Sequence, residues 1–420
     1  MTQFGSLSIL DEALSNAHPE VIASIQASTR ATLASANLPT RQTENWKYSY
    51  RRLGDLSRLN RSEKSDGQSH IEAVSNAVVI NVFNGIVDQS SIDAVSLDGL
   101  SVLRFDAIDA VQAKLVQEHT VGHQQGELEQ LNGALFDDAI FIDVAKNTAL
   151  TQPIQLNFIH SGAGLSTPRV FVHMGQSAQA TIIEAHQIED METAFVSNQM
   201  TALVSSNAKL NYLRMNPIAD FYKLATATRA ILKRDAVFES DSLCLGAGMG
   251  RHDLHVLMTE PGAHCELNGV VVTKEKQHFD NHTNIEHIAS NCTSEENYRC
   301  IADDKSHIVF NGRIHIHKDA QKTLGEMNNR NLLLSNSAAI DTKPELEIYA
   351  DDVKCAHGAT IGQLNEKEVY YLKTRGLSDD QARQMLTLGF VLELVRAVPI
   401  EDLAKRWEES LSQLLSFQEK

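Results

Sequence analysis

The chain is poor in cysteine, in long apolar runs and in the glycine motifs of nucleotide chemistry. Five cysteines, Cys244, Cys265, Cys292, Cys300 and Cys355, are scattered over 420 residues, and no two stand in Cys-x-x-Cys spacing. An odd, dispersed set argues against a disulfide framework and against a self-contained zinc ribbon or ferredoxin-type site, and it points to a reduced, cytoplasmic protein. The longest apolar stretches, such as Ala77–Phe83, are strand-sized and far too short to span a bilayer. The opening MTQFGSLSILDEALSNAHPE has neither a basic segment nor a continuous apolar one, so no secretory signal is expected. There is no Gly-Lys dipeptide and hence no Walker A motif, so the chain is not expected to hydrolyse ATP by itself. GAGMGR (Gly246–Arg251) comes nearest to a dinucleotide fingerprint, but its third glycine position is Arg251 and no acidic residue in a βαβ context follows. GxSxG, HExxH and EF-hand loops are also missing.

What is present is acidic and globular. Lys and Arg number 37 against 54 Asp and Glu, a formal net charge of −17. That balance disfavours sequence-independent nucleic-acid binding and docking on an anionic membrane. With 42% hydrophobic and 22% charged residues, the composition is that of a folded protein with a sizeable core.

Three zones follow along the chain. Residues 1–68 read as helical: Glu12, Ala13, Ala17, Val21, Ile22 and Ile25 recur at helix spacing, and LNRSEKSDGQSH reads as a linker. Within this zone ENWKYSY (Glu44–Tyr50) concentrates aromatics, the mark of an anchor onto the next zone. Residues 69–362 change to β-type runs with little room for helices, among them AVVINVFNG, RVFVHMGQ and HIVFNGRIHIHK. From Gly262 onward such segments recur about every twenty residues, an interval of the right order for one coil of a β-solenoid, with a β-sandwich as the competing architecture. No side-chain signature of the repeat is evident. Residues 363–420 return to helix. Gly376 reads as a C′ glycine and Ser378–Gln381 as a capping box. Met385, Leu388, Leu392 and Val395 form one stripe, and Leu403, Trp407, Leu411 and Leu414 another. Apolar surface left uncovered by this tail is a natural docking surface for a partner.

Two groups of residues carry metal chemistry. His252 with His255, His282 with His287, and His315 with His317 each offer paired imidazoles. On a strand His315 and His317 share one face, although a solvated surface is the plainer reading of any His pair without a third ligand. The sharper feature is DDVKCAHGATIG (Asp351–Gly362). If it is extended, Cys355 and His357 leave the same face, and thiolate plus imidazole suits zinc or iron–sulfur chemistry. A buried Cys beside a satisfied His is the structural alternative. Two ligands also fall short of the four a cluster takes, so distant residues or a partner must complete the shell.

The stretch NNRNLLLSNSAAIDTKPELEIYADDVKCAHGATIGQLNEKEVYYLKTRGLSDDQARQMLTLGF (Asn328–Phe390) resembles the C-terminal signature of the SufB/SufD family of iron–sulfur cluster assembly scaffolds. ENWKYSY and HGAT are similar to the SufD branch, since SufB proteins tend to carry Glu in place of Gly358. The resemblance implies a mainly β fold, a right-handed parallel β-helix core flanked by N-terminal and C-terminal helical domains. It implies a non-catalytic scaffold that pairs with a SufB-like homologue and binds a SufC-like ABC ATPase through its C-terminal helices. A transient iron–sulfur cluster would form at the interface with SufB, with His357 as a ligand and Cys355 beside it. Edges that pair with a homologue are also able to pair with a second copy as a homodimer when the partner is missing, and the sequence does not decide whether they do. Two other readings use different features: a stand-alone metal-binding protein built on the histidines between 250 and 320, and a β-helix enzyme acting on polysaccharides. The enzyme reading lacks an export signal and a convincing acid pair.

Overall fold

The computed structural model describes residues 3–12, 18–63, 67–123, 126–189, 194–216 and 219–416. Ala13 and Ala17 lie outside the described residues, as do residues 64–66 of the expected linker. The core is a parallel β-solenoid of about seven turns. Its strands alternate along the chain between two sheets of ten strands each. The first sheet runs through Gln179–Ile188, Lys209–Asn216, Val237–Leu245, His264–Thr273, Thr293–Ala302, Thr323–Leu333 and Val353–Gln363. The second includes Ala194–Val204, Ala219–Leu232, Ala247–Met258, His278–His287, His307–Ile316 and Ala339–Ile348.

One coil is longer than the spacing of β-type segments suggests. Lys209 pairs with Val237, Val237 with His264, His264 with Thr293, and Thr323 with Val353, which are steps of 28, 27, 29 and 30 residues. Each coil contains two strands, one per sheet, so strands recur about every fifteen residues rather than twenty. The strand missed between NIEHIAS and SHIVFNGRI is TSEENYRCIA (Thr293–Ala302), whose Glu and Arg hide its alternation.

What repeats with the coil is a backbone conformation. Before seven of the ten strands of the first sheet one residue takes positive φ: Asn147 (59°), Ser177 (57°), Asn207 (58°), Asp235 (54°), Gly262 (82°), Asn291 (58°) and Lys322 (58°). Each of these turns donates its backbone N–H to the next coil, Asn207 N to Arg234 O at 2.9 Å and Asn291 N to Gln321 O at 2.9 Å, for example. The following residue is small and lies in the core: Ala178, Ala208, Ala236, Ala263 and Cys292 are all fully buried. Asn and Asp tolerate this region of φ because a short polar side chain can satisfy the local backbone. A side chain larger than the Thr323 that follows Lys322 would hold adjacent turns apart.

Helices cover the outer faces. Near the N-terminus, the helix Glu20–Ser35 and two helices inside the expected β zone, Ala110–Thr120 and Glu127–Leu135, pack on the second sheet. The expectation of little room for helices there fails, because Asp109 and Gln112 form a capping box and start a helix that the β-run pattern obscured. Leu128, Leu131 and Leu135 join Trp46, Phe195 and Met249 in one cluster, while Val21, Ile22 and Ile25 join Phe141, Phe171 and Leu203 in another. At the other end Gly376 has φ +95° and Ser378 and Gln381 make the expected capping box. The helix Asp379–Ala397 buries Ala382, Thr387, Val391 and Val395, so its face is rotated from the predicted stripe and Met385 points to solvent at 56% exposure. Leu403, Trp407 and Leu411 of Glu401–Leu414 are buried as expected, against Leu243, Val270, Val272 and Ile301 of the first sheet.

Ala236→Leu should lower the denaturant midpoint by the equivalent of about 1–3 kcal/mol, because overpacking forces adjacent turns apart. Lys322→Gly, placed where φ is +58°, should leave the midpoint within about 1 kcal/mol of wild type. Chemical denaturation of the two variants side by side checks the pair.

Candidate functional site at the open end of the solenoid

The two ends of the solenoid differ. At the N-terminal end the sheets finish in short antiparallel strands, Ile86–Val87 against Val78–Phe83 and Leu100–Arg104 against Ile140–Val144. At the C-terminal end Ala339–Ile348 pairs only with His307–Ile316, and Val353–Gln363 pairs only with Thr323–Leu333, among the described residues. Ile348, Tyr349 and Ile361 stand exposed on this last coil. A parallel edge with unpaired backbone groups and apolar side chains is a template for another strand.

Cys355 and His357 both lie on this edge strand. Cys355 pairs in register with Gly325 and His357 with Met327. Met327 points into the core, so both residues head columns that run along the solenoid interior, and their shared face is the one expected. Cys355 packs partly against the core, and burial pushes its thiol up, away from the thiolate that a metal needs. His357 is exposed and its ring makes no hydrogen bond among the described residues. The imidazole is therefore the freer ligand.

Deeper in, the apolar interior encloses a buried polar cluster around Glu184. Glu184 accepts from Arg214 Nε at 3.0 Å and Tyr212 Oη at 2.6 Å, and lies 2.8 Å from His186 Nε2. Burial alone would raise the Glu184 carboxyl, but His186, Arg214 and Tyr212 together hold it below the ordinary range. Arg214 also donates to Cys244 Sγ at 3.5 Å. Cys244, Cys265, Cys292 and Cys300 are all buried, and burial raises each thiol. They are core cysteines. Glu296, one coil beneath Met327, is less well satisfied: one carboxylate oxygen accepts from Thr283 at 2.6 Å, the other is buried without a partner, and burial pushes the group up to about 7.

The remaining sequence features fall into place. Gly246–Arg251 lies in and beside the strand Ala247–Met258 rather than at a helix start, and Arg251 is buried in ion pairs with Asp253 and Asp280. The guanidinium sits 4.1 Å over Trp46, whose Nε1 donates to Glu127, and Ser49 bonds to Asp280 and His278, so ENWKYSY does anchor the N-terminal zone. His252 is buried inside the solenoid while His255 faces outward. His287 likewise bonds inside to Ser294, and His282 pairs outside with Asp280. Alternation on a strand separates both pairs. His315 and His317 do share a face, stacked with ring centroids 4.3 Å apart. The carboxylate beside them, Glu286, was missed because it lies one coil upstream, where only the correct period would bring it opposite His315.

Comparison with known proteins points in one direction. Residues 157–390 match the family model described as the SufBD core domain of the SUF system for iron–sulfur cluster assembly. The iron–sulfur cluster assembly protein SufD of Escherichia coli is 28% identical, over 89% of this chain and 88% of its own length. A SufBD family protein of Synechocystis is 31% identical over 67% of this chain and 65% of its own length. The chloroplastic protein ABCI7 of Arabidopsis thaliana is 27% identical over 93% of this chain and 86% of its own length. Among the described residues no helix is long and apolar enough to cross a membrane.

Glu296 gives a pH test of the interior. Its carboxyl is raised in the fold from an ordinary 4.5 to about 7, so the folded state binds the proton more tightly. The stability it contributes is complete below pH 4.5 and is lost as pH rises through 7. Glu296→Gln should therefore be nearly neutral at pH 5 and stabilising by on the order of 2 kcal/mol at pH 8, read as unfolding midpoints at the two pH values.

Proposed function

This chain belongs to the SufBD family of iron–sulfur cluster assembly proteins, and on that premise we propose that it is the SufD-type scaffold subunit, pairing with a SufB-like homologue through the open end of its solenoid. The observation that carries the proposal is the last coil. Its strands Ala339–Ile348 and Val353–Gln363 lack outer neighbours among the described residues, and a homologue built on the same coil presents a matching edge. His357 on that edge then meets the partner's ligands, and the nascent cluster is the cargo held between them. Cys355 stands beside it as the weaker ligand, since its thiol is raised by partial burial. An imidazole without a hydrogen bond of its own holds a cluster loosely enough to release it.

The C-terminal zone, residues 363–420, is in this reading the dock for a SufC-like ATPase. Leu403, Trp407 and Leu411 are used up against the first sheet. Tyr370 and Tyr371 on the helix Glu366–Thr374 and Met385 on the next helix remain exposed, at 69%, 56% and 56%. Aromatic and methionine side chains are the types enriched at partner interfaces. The N-terminal zone to residue 68 and the core from 69 to 362 complete the division, and the chain works in the cytoplasm without nucleotide of its own. With no homologue present, the same edge pairs with a second copy.

Anaerobic affinity purification of this chain from its host should recover a SufB-like protein and a SufC-like ATPase together with iron and sulfide. His357→Ala should leave the three-protein complex intact and reduce its iron and sulfide several-fold, while Cys355→Ala reduces them less. Recovery of the chain alone, or an unchanged iron and sulfide content in His357→Ala, would overturn the reading. Tyr370→Ala/Tyr371→Ala should lose the ATPase and keep the SufB-like partner.

A further inference from the structure

One strand in from the open edge, metal-ligating side chains converge on the outer face of the second sheet. One ring nitrogen each of His315 and His317 and a carboxylate oxygen of Glu286 lie within 4.8 Å of one another. The arrangement follows from register: Glu286 pairs directly with His315, and alternation keeps His317 on the same face. Ile285, Ile314 and Ile316, the intervening residues, fill the core and fix the strands beneath. These residues remain partly accessible: Glu286 is 17% exposed, His315 19% and His317 38%.

We propose that Glu286, His315 and His317 bind a divalent first-row transition ion, with Fe2+, Co2+ and Zn2+ as its chemical class. Two imidazoles and one carboxylate on one face, with the other side open to solvent, suit such ions, whereas calcium and magnesium prefer oxygen alone. Ligands about 2.1 Å from the ion sit roughly 3–3.5 Å apart, so the three groups close on it by side-chain rotation. The surroundings are those of a built site. Glu286 offers its two oxygens to different histidines, Oε1 to His255 Nε2 at 3.3 Å and Oε2 to His317 Nε2 at 3.2 Å. Asn284 also donates to Oε1, at 3.3 Å. His255 thus acts as a positioning residue that orients the carboxylate. On the other side Arg313 and Glu347, paired at 2.7 Å, frame His315 Nδ1 at 2.8 and 3.8 Å. Arg313 donates to Nδ1, so binding of the ion at the other ring nitrogen turns the guanidinium away and leaves the Nδ1–H to Glu347, the usual carboxylate–histidine–metal relay. The three ligands lie off the two edge strands, although Glu347 beside His315 belongs to Ala339–Ile348, and the site does not depend on the scaffold reading.

The test is anaerobic titration of the purified full-length chain with Co2+, followed by visible ligand-field absorption and by calorimetry, then repeated with Fe2+. One saturable equivalent is expected for the wild type, and His357→Ala/Cys355→Ala should keep it. His315→Ala/His317→Ala and the near-isosteric Glu286→Gln should lose the absorption bands, with circular dichroism confirming that the exposed face tolerates the changes. His255→Ala should keep the bands and weaken affinity about 10–100-fold. Absence of a saturable equivalent in the wild type overturns the proposal. So does persistence of the bands in both ligand variants, or their loss in the His357→Ala/Cys355→Ala chain.

Discussion

Everything in this molecule depends on a strand finding its hydrogen-bond partner one coil away. In a parallel solenoid no coil closes its own backbone bonds, and each is completed by the neighbour 27–31 residues along the chain. The ladder of positive-φ turns from Asn147 to Lys322 keeps that step in register, since each turn hands one N–H to the next. A fold of this kind must solve the problem of its two ends. The N-terminal end is solved within the chain by reversing strand direction, so that Ile86–Val87 and Leu100–Arg104 finish the sheets with short antiparallel edges. The C-terminal end is left as Val353–Gln363, whose pattern of exposure continues to its last residue.

The helices reinforce this asymmetry. They cover the outer faces of the sheets, where Phe141, Phe171 and Leu203 on one side and Leu243, Val270 and Ile301 on the other need burial. Burying a side chain of that size contributes about 1.5–3 kcal/mol, so these layers are a substantial part of the stability. Neither layer closes the last coil. A protein that spends its helices on the flanks and leaves its edge strand free keeps unpaired backbone groups at the end of the stack.

How far the sequence alone reaches is set by range. Local signals were legible: the Ser378–Gln381 capping box, Gly376, the burial of Trp46 and Trp407, and the shared face of Cys355 and His357 all depend on residues a few positions apart. Signals spaced by one coil were not. The turn ladder alternates Asn, Ser, Asp, Gly and Lys, which share a backbone conformation rather than a side-chain chemistry, and the segment interval of about twenty concealed a coil of two strands. Once that step was misjudged, Glu286 could not be placed opposite His315, and His252 and His255 could pass for a pair although they face opposite sides of one strand. The helices Ala110–Thr120 and Glu127–Leu135 were missed because their amphipathic faces meet both a sheet and another helix, which leaves a weak period.

The histidines show how the fold sorts chemistry by depth. His160, His186, His252, His278 and His287 are inside or nearly so, and each is engaged by the protein: His160 by Ser166, His186 by Glu184, His252 by Thr228, His278 by Ser49 and His287 by Ser294. A buried imidazole without such a partner would cost more than the fold can spare. Ligation needs the opposite condition, a ring nitrogen whose lone pair the protein has not already used or can release. His357 meets it by standing on an edge where the chain offers no bond. His315 and His317 meet it differently, by sharing one carboxylate and one guanidinium among several donors, so that an arriving cation replaces contacts that are already compromised. The two places are alike in one respect: both lie where the stack or its helical cover stops, and the coil has no further use for the side chain.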